Sequence, residues 1–482
     1  MSKAIPHQPL MFSLFHILFL LILITTDVGH CFKDNKVLIL KKFDQREDSP
    51  TPRCLPQKSR REKSLAILEM KHHDSCLGPI KNWDNKLQER LISDNFRVRS
   101  LQSQIRNAAS GRTEGLSEIQ IPLTSGMKFQ ILNYIVALEL GGREMTVIVD
   151  TASDLTWIQC QPCKSCYTQQ DPLFNPSASP SYQSIPCNSS TCQNLQFATG
   201  NLGVCSLDPP TCNYDVSYGD GSYTRGELGR EQLNLSSMAV NGFIFGCGRS
   251  NHGLFGGAAG VMALGRSDLS LVSQTASQFG GVFSYCLPST EDDSASGSLI
   301  LGNDSSIYKN STPITFTKMI LNPQLSTFYV LNLTSISIGG VALKAPGFVN
   351  GGTLIDSGTV ITRLPPSVYA TLRAEFLRQF SGYPPAPGFS ILDTCFNLSG
   401  NAEVSIPTIR LHFEGEVEVN VDASGVFYFA RSDSSQVCLA LASLSSDDEI
   451  GILGNFQQKN LRVVYNTKDS VLGFAEEVCS YS

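Results

Sequence analysis

One short pattern occurs twice in the chain, and this internal repeat limits the possible folds more than any other feature of the 482 residues. Residues 147–153 read Val-Ile-Val-Asp-Thr-Ala-Ser, and residues 353–359 read Thr-Leu-Ile-Asp-Ser-Gly-Thr. The two Asp lie 206 positions apart, and an apolar-Gly pair follows each copy, at 264–265 and 453–454. The repeat predicts two similar halves, each of which places one Asp on a tight loop after a buried strand.

Asp150 and Asp356, on matching loops, can meet across a pseudo-two-fold axis. Ser and Thr hydroxyls and the backbone N–H of the small residue can donate to each carboxylate, and the small side chain lets the loops approach. Two carboxylates about 3 Å apart share one proton, so one serves as a base that activates water and the other as an acid that polarises a carbonyl. An isolated Asp in such a motif would be interpreted as a turn or cap residue, but the duplication argues against that.

The scarcity of histidine excludes several other chemistries. Only His252 and His412 follow residue 120, and neither a zinc-type H-E-x-x-H nor a Walker-type phosphate loop occurs. A Ser/His or Cys/His nucleophilic pair would have to use one of these two histidines as its base. We interpret both as ordinary surface or core histidines. We expect no metal and no cofactor.

Residues 1–30 are predicted to be a secretory signal peptide. Lys3 precedes an apolar run from Leu10 to Ile24, and small or polar residues follow. A transmembrane anchor is the alternative, but it needs about 20 apolar residues. The C-terminus lacks the apolar tail of a lipid-anchor signal. We expect a soluble mature protein, secreted to the apoplast or delivered to the vacuole, without a membrane anchor.

Cysteine usage supports the secretory prediction, since the chain has 15 Cys and thiols in such number are typical of oxidising compartments. Cys31, Cys54 and Cys76 precede residue 120. The remaining twelve, enough for six disulfides, are Cys160, Cys163, Cys166, Cys187, Cys192, Cys205, Cys212, Cys247, Cys286, Cys395, Cys438 and Cys479. The spacing from Cys160 to Cys166 also fits a metal knuckle or a redox motif, but no His lies nearby.

Sequons for N-glycosylation also fit a secreted surface. They lie at Asn188, Asn234, Asn303, Asn310, Asn332 and Asn397. We further expect Cys395 and Cys438 to pair, because both flank strand-like runs in the second half.

Residues 31–120 form a basic segment, with 18 Lys and Arg against 12 Asp and Glu, whereas residues 121–482 have 18 against 30. Apolar residues at near-helical spacing between Lys86 and Ala109 predict a basic amphipathic helix. Such a segment fits a removable prosegment lying across an acidic body, or an arm that binds nucleic acid or membrane. The charge complementarity favours the prosegment, with cleavage within 111–122.

From residue 121 onward, short strand-like runs punctuated by Gly pairs indicate a β-rich protein with minor helices. Strands are expected at 134–140, 145–149 and 328–333, and helices at 269–279 and 367–380. Asp154, Asp215 and Asp220 are interpreted as surface or hairpin charges.

Tyr218 lies between strand-like runs, in the sequence Tyr-Gly-Asp-Gly-Ser at 218–222. It is either a plain hairpin aromatic or, because Gly219 and Gly221 make a mobile tip, a flap that closes over an extended peptide. Trp157 has either a packing role or a place in the cleft with its indole N–H bonded to Tyr218.

Together these motifs resemble the pepsin-family aspartic proteases of the plant nepenthesin-like group, over residues 121–482. The family's Asp-Thr-Gly-Ser matches 150–153, its Asp-Ser-Gly-Thr matches 356–359, and its Cys-rich insertion falls on 160–212. The runs at 358–365 and 390–395 resemble a subgroup that includes a chloroplast nucleoid DNA-binding protease, which keeps a plastid location open. Ala152 departs from the family, which has glycine there.

The resemblance implies an all-β, bilobal pepsin-like fold with two pseudo-symmetric lobes, 121–310 and 311–482, and a cleft between them. It implies an endopeptidase that acts at acidic pH on polypeptide substrates, with its own prosegment as intramolecular inhibitor. It assigns catalysis to Asp150 and Asp356. It places flap and substrate contacts at Tyr218, Gly219, Trp157, Ser153, Gly358 and Thr359. It also implies a Cys286–Cys479 disulfide.

A second reading belongs to a different class of protein. The same fold resembles plant secreted inhibitors of microbial xylanases, which are binding proteins without the dyad. The methyl group of Ala152 enters the tightest part of the site, so a catalytically weak or inactive binding protein is the alternative. We expect a monomer in either case, and we do not expect DNA to be a partner.

Overall fold

The two copies of the Asp motif lie in matching strand arrangements. In the computed structural model, Arg143–Asp150 pairs in parallel with Gly260–Ala263, as Thr353–Ile355 pairs in parallel with Gly451–Leu453. Each Gly-containing strand also pairs antiparallel with the strand that follows its Asp loop. The internal repeat is therefore a structural repeat, and each Asp stands at or directly after the end of a buried strand.

The structure describes most but not all of the chain. It covers residues 34–40, 57–73, 83–110, 133–218, 221–253, 255–289, 296–308, 311–349 and 352–481. The predicted signal peptide, the predicted cleavage region, Cys31, Cys54, Cys76, Gly219, Asp220 and Asn310 lie outside these residues. Among the helices it describes, none is long and apolar enough to cross a membrane.

The largest sheet has 16 strands and runs through both halves of the chain. Its main path is Thr315–Lys318, Val471–Glu476, Leu461–Asn466, Val282–Cys286, Gly297–Leu301, Leu65–His72, Tyr134–Leu140, Arg143–Asp150, Gly260–Ala263, Trp157–Gln159, Met238–His252, Tyr223–Leu235, Cys212–Ser217 and Val204–Cys205. Two further strands join this sheet. Ser59–Glu62 pairs with Leu65–His72, and Gln183–Ser184 pairs with Tyr223–Leu235.

Three smaller sheets and one strand pair complete the β structure of the described residues. The five-stranded sheet has the order Val330–Leu331, Thr353–Ile355, Gly451–Leu453, Thr362–Leu364 and Leu441–Ser443. The first four-stranded sheet has Val341–Ala342, Leu333–Ile338, Ile409–Phe413 and Val417–Asn420. The second has Pro385–Ala386, Cys395–Phe396, Val437–Leu439 and Phe427–Phe429. The strand pair is Asn35–Ile39 with Glu403–Pro407.

Helices are few in the part of the chain that the structure describes, as the sequence predicts. The α-helices are Trp83–Ser110, Ser190–Gln193, Gln196–Thr199, Leu271–Gln274, Ala276–Phe279 and Pro366–Gln379. Single 3₁₀ turns occur at Pro176–Ala178, Ser305–Ile307, Pro323–Leu325, Pro346–Val349, Ala423–Gly425 and Asn455–Gln458. The arrangement is the mostly β, bilobal architecture expected from the repeat. The predicted strand at 328–333 is broken, since the structure has strands only at Val330–Leu331 and from Leu333 onward.

The basic segment is part of this architecture. Leu65–His72 is an almost wholly buried strand that pairs antiparallel with Gly297–Leu301 and, at its end, with Tyr134–Leu140. Its first four residues are all apolar, which fits a strand that is buried on both faces. Asn35–Ile39 adds a second contact, on the second half of the chain. The domain limits predicted from the sequence stay predictions, but this segment packs as a component of the sheet.

All twelve cysteines after residue 120 are paired. The disulfides are Cys160–Cys247, Cys163–Cys166, Cys187–Cys205, Cys192–Cys212, Cys286–Cys479 and Cys395–Cys438. The last two pairs are those named in the sequence analysis. The spacing from Cys160 to Cys166 therefore serves disulfides, and the described residues contain no His, Cys, Asp and Glu cluster able to hold a metal ion.

Candidate active site

The two Asp loops, residues 150–153 and 356–359, contact each other directly. The backbone N–H of Ser357 donates to Thr151 Oγ1 at 3.0 Å, and the backbone N–H of Thr151 donates to Ser357 Oγ at 3.2 Å. All four groups are buried. These reciprocal hydrogen bonds fix the distance between the loops and explain why each motif has a hydroxyl residue directly after its Asp.

Each carboxylate is held by the small residue two positions on. Ala152 N donates to Asp150 Oδ1 at 3.0 Å, and Gly358 N donates to Asp356 Oδ1 at 2.8 Å. Both Asp are buried, with 3 % and 0 % of their surface exposed. The predicted catalytic pair is thus oriented by two equivalent backbone donors.

The hydroxyl residues at the ends of the loops differ. Thr359 Oγ1 donates to Asp356 Oδ2 at 2.5 Å. Ser153 Oγ, its counterpart, is buried and has no hydrogen-bond partner within the described part of the chain. The site is therefore symmetric in its backbone and asymmetric in its hydroxyls.

Ala152 fits its loop without distortion. Its backbone φ is not positive, and its N–H keeps the bond to Asp150. Its methyl group packs against an apolar cluster that includes Val98 and Leu101. A Cβ at Gly358 would instead overlap the guanidinium of Arg97 and lie 2.9 Å from Asp150 Oδ1. Only the second loop therefore requires glycine.

Asp154 is not a surface charge, and that interpretation was wrong. It is 7 % exposed, and its Oδ1 accepts a 2.7 Å hydrogen bond from the backbone N–H of Ser267. Burial raises its pKa to about 7. The partner lies 113 positions away, so no local pattern reveals it. Asp215, by contrast, lies on a hairpin strand in an exposed ion pair with Arg225.

Tyr218 lies at the tip of the hairpin formed by Cys212–Ser217 and Tyr223–Leu235. This hairpin belongs to the same half of the chain as the first Asp loop. Its hydroxyl accepts a 2.8 Å hydrogen bond from Trp157 Nε1. Phe255 packs edge-on against both rings, with centroid distances of 5.7 Å to Tyr218 and 4.9 Å to Trp157. Trp157 is fully buried, so it anchors the half-buried tyrosine rather than lining an open surface.

A basic side chain occupies the space between the carboxylates. Arg97 Nη2 donates to Asp150 Oδ1 at 2.7 Å and to Asp356 Oδ1 at 3.0 Å, while Nε donates to Asp356 Oδ2 at 3.0 Å. Burial lowers the pKa of Arg97, but the two carboxylates outweigh this effect and hold the pKa well above its ordinary value. The guanidinium is therefore a permanent cation on the dyad.

Arg97 belongs to the helix Trp83–Ser110, which we call the covering helix. Its buried Leu87 and Leu91 pack in one apolar cluster with Val360, Ile361 and Phe456. Farther along, Val98 and Leu101 pack in a second cluster, with side chains of both lobes. Gln102 Nε2 adds a buried 2.7 Å hydrogen bond to the carbonyl of Ile450. The helix is therefore anchored on both sides of Arg97, and these contacts hold that side chain on the dyad.

One turn before Arg97, Asp94 makes a buried ion pair with Arg363 at 2.8 Å. The sequence analysis named none of these three residues. A signal was present, because Asp94 falls on the same helical face as Leu87, Leu91 and Val98, where an exposed charge is not expected.

Models of a known family match most of the sequence after the covering helix. The family described as xylanase inhibitor N-terminal matches residues 134–303, and the one described as xylanase inhibitor C-terminal matches residues 328–476. Each match contains one of the two Asp loops.

Curated relatives carry protease names. An aspartyl protease family protein of Arabidopsis thaliana is 43 % identical over 399 residues, which is 81 % of this chain and 82 % of that protein. The aspartic proteinase nepenthesin-1 of Nepenthes gracilis is 36 % identical over 72 % of this chain and 78 % of its own length. Among solved structures, basic 7S globulin from soybean has the same fold, with a TM-score of 0.57 at 22 % identity over 72 % of this chain and 95 % of that one. The chain therefore belongs to the pepsin-like aspartic protease family of plants.

Proposed function

We propose that the chain is the latent form of an aspartic endopeptidase, in which Asp150 and Asp356 activate a water molecule for attack on a peptide bond. The observation that carries the proposal is the pair of mirrored loops, each holding its carboxylate through a backbone N–H. With one shared proton, one carboxylate takes a proton from water while the other donates to the peptide carbonyl.

In this proposal the other predicted site residues position rather than react. Gly358 and Thr359 orient Asp356, while Ser153 remains free to donate once substrate or water enters. Tyr218, held by Trp157, lies on the hairpin that closes over an extended polypeptide.

Residues 31–120 are proposed to be an inhibitory prosegment. Arg97 fills the position that water and the peptide carbonyl need, and it bonds to both carboxylates. Acidification protonates carboxylates across the acidic body, while the guanidinium of Arg97 stays charged. The +6 segment then loses attraction for the −12 remainder of the chain, and cleavage within 111–122 releases it.

We propose a route through the secretory pathway to the apoplast or vacuole, with a plastid location as the alternative. The six disulfides support an oxidising compartment. Among the predicted glycosylation sites, Asn188 and Asn303 are exposed.

A second candidate is a binding protein without turnover, favoured by the xylanase-inhibitor models that match both halves. One experiment separates the two candidates. The purified full chain is incubated at about pH 3 to 5 with a denatured protein, with and without pepstatin, and the product's N-terminus is sequenced.

Pepstatin-sensitive hydrolysis and a new N-terminus at about residue 110 to 125 are expected of the protease. A processed N-terminus before residue 90 would contradict the prosegment assignment, because the covering helix would remain. A folded, processed chain that hydrolyses nothing would favour the binding protein.

A further inference from the structure

The Asp94 carboxylate is bound like a ligand by one short segment. Its Oδ2 accepts from Arg363 Nη2 at 2.8 Å, and its Oδ1 accepts from the backbone N–H of Val360 at 2.7 Å. The N–H of Ile361 adds a contact to Oδ2 at 3.3 Å. Both charged side chains are 1 % exposed. Three donors therefore converge on one carboxylate, and all of them follow the second Asp loop directly.

Arg363 has no second acidic partner among the described residues. Its other hydrogen bond goes from Nη1 to the carbonyl of Ile361, at 2.9 Å. A buried guanidinium without a counter-charge is costly. Loss of the covering helix would leave this cation and the backbone N–H groups of Val360 and Ile361 facing the emptied space.

This carboxylate-binding group lies close to the dyad. Asp94 and Arg97 are three positions apart on one helix, so their Cβ atoms are about 5–6 Å apart. Arg97 reaches both catalytic Asp. Because an extended peptide advances about 3.3 Å per residue, a substrate side chain within a few residues of the scissile bond can take the place of Asp94.

We propose that Arg363, with the backbone N–H groups of Val360 and Ile361, forms a subsite that selects an Asp or Glu side chain at one position of the substrate, within a few residues of the bond to be cleaved. This inference rests on the proposed function. Arg363 is then a specificity-determining residue, and Asp94 is the side chain that fills its subsite while the protein is latent.

The test compares peptides that differ only in one charge. A peptide series carries a single Asp at each position around the cleaved bond, and a matched series carries Asn. At about pH 5 the Asp side chain is largely ionised. The processed wild type should cleave the Asp peptide at one position with kcat/KM at least about tenfold above its Asn match. Arg363→Gln should lose this preference, so that its kcat/KM on the Asp peptide falls to that on the Asn match.

Equal rates for every Asp and Asn pair would overturn the proposal, as would a preference that survives in Arg363→Gln. If Arg363→Gln does not fold, the comparison of Asp and Asn peptides as substrates of the wild type still tests the proposal. A synthetic peptide of residues 83–110 should inhibit the processed protein, and its Asp94→Asn version should inhibit at least about tenfold less well. Equal inhibition would also overturn the proposal.

Failure of the proposed function is recognised separately. A recognition sequence for a second protease, inserted within 111–122, yields the processed chain whether or not it has activity of its own. If that protein hydrolyses no peptide, the endopeptidase assignment fails. Binding of fluorescent Asp and Asn peptides then measures the subsite alone, and equal affinity contradicts it.

Discussion

Ala152 and Gly358 occupy the same place in the two Asp loops, and each donates its backbone N–H to the carboxylate two residues before it, at 3.0 and 2.8 Å. The similar distances show that a methyl group in the first loop leaves the carboxylate's support intact. The methyl group itself packs on the apolar cluster formed with the covering helix.

For Ala152→Gly we therefore expect turnover by the processed enzyme to change less than about threefold. Loss of a methyl contact to the covering helix should speed self-processing at acidic pH, since each buried methyl group contributes about 1 kcal/mol. Steady-state kinetics and a time course of processing measure the two effects. A gain in turnover of about tenfold would instead mean that the alanine crowds the reacting water.

Arg97→Gln should weaken latency, because it removes the cation that pairs with both carboxylates. We expect self-processing at about pH 6 to be at least tenfold faster, which corresponds to about 1.4 kcal/mol. Arg99→Gln is the matched control, since Arg99 is exposed on the same helix. Gel analysis of the processed band gives the rates, and identical rates for both variants would disprove the inhibitory role of Arg97.

Asp154→Asn should change how stability depends on pH. Burial raises the pKa of Asp154 from 3.8 to about 7, so the folded protein binds this proton more tightly than the unfolded chain. Its stabilising contribution is complete below about pH 4 and is lost as the pH rises towards 7. The Asn variant cannot titrate, and it keeps an oxygen for the N–H of Ser267.

We therefore expect the thermal unfolding midpoint of Asp154→Asn to fall less between pH 4 and pH 7 than the midpoint of the protein that retains Asp154. Both proteins should carry Asp356→Asn, which prevents self-cleavage during the measurement. The expected difference in unfolding free energy is on the order of a few kcal/mol. Parallel pH profiles would show that Asp154 is charged throughout this range.

The disulfide between Cys286 and Cys479 closes a separation of 193 residues, whereas Cys163 and Cys166 are 3 apart. Replacing the first pair by Ser should lower stability by up to about 5 kcal/mol, against about 2 kcal/mol for the second, because the longer loop restricts the unfolded chain more. Thermal unfolding at neutral pH compares the two. Equal losses would mean that loop closure does not determine the effect.

The sequence predicted the part of the site that is repeated and local. The repeat located both Asp loops, and near-helical spacing predicted a helix over Lys86–Ala109, where the structure has Trp83–Ser110. Alternating and apolar runs predicted Tyr134–Leu140 with its observed limits. These features depend on neighbours within a few positions, so a single sequence contains them.

The contacts that make the protein latent depend on docking between distant segments. Arg97 is 53 positions from Asp150 and 259 from Asp356, and nothing local distinguishes it from the other cations of the basic segment. The strand Leu65–His72 was missed although it forms a hairpin with Ser59–Glu62, since the partners that place it in the large sheet start at Tyr134 and Gly297. Apolar periodicity indicates that a face is buried, but it does not identify what covers that face.

The central claim is that Asp150 and Asp356 together hydrolyse peptide bonds. Its most direct test is the turnover number at about pH 4 of the processed wild type, Asp150→Asn and Asp356→Asn, each released by the second protease so that processing does not depend on activity. We predict pepstatin-sensitive turnover by the wild type and a loss of at least about 10³-fold in each folded variant, because an amide cannot share the proton. Turnover in either variant within tenfold of the wild type, or none in the folded wild type, would contradict the claim.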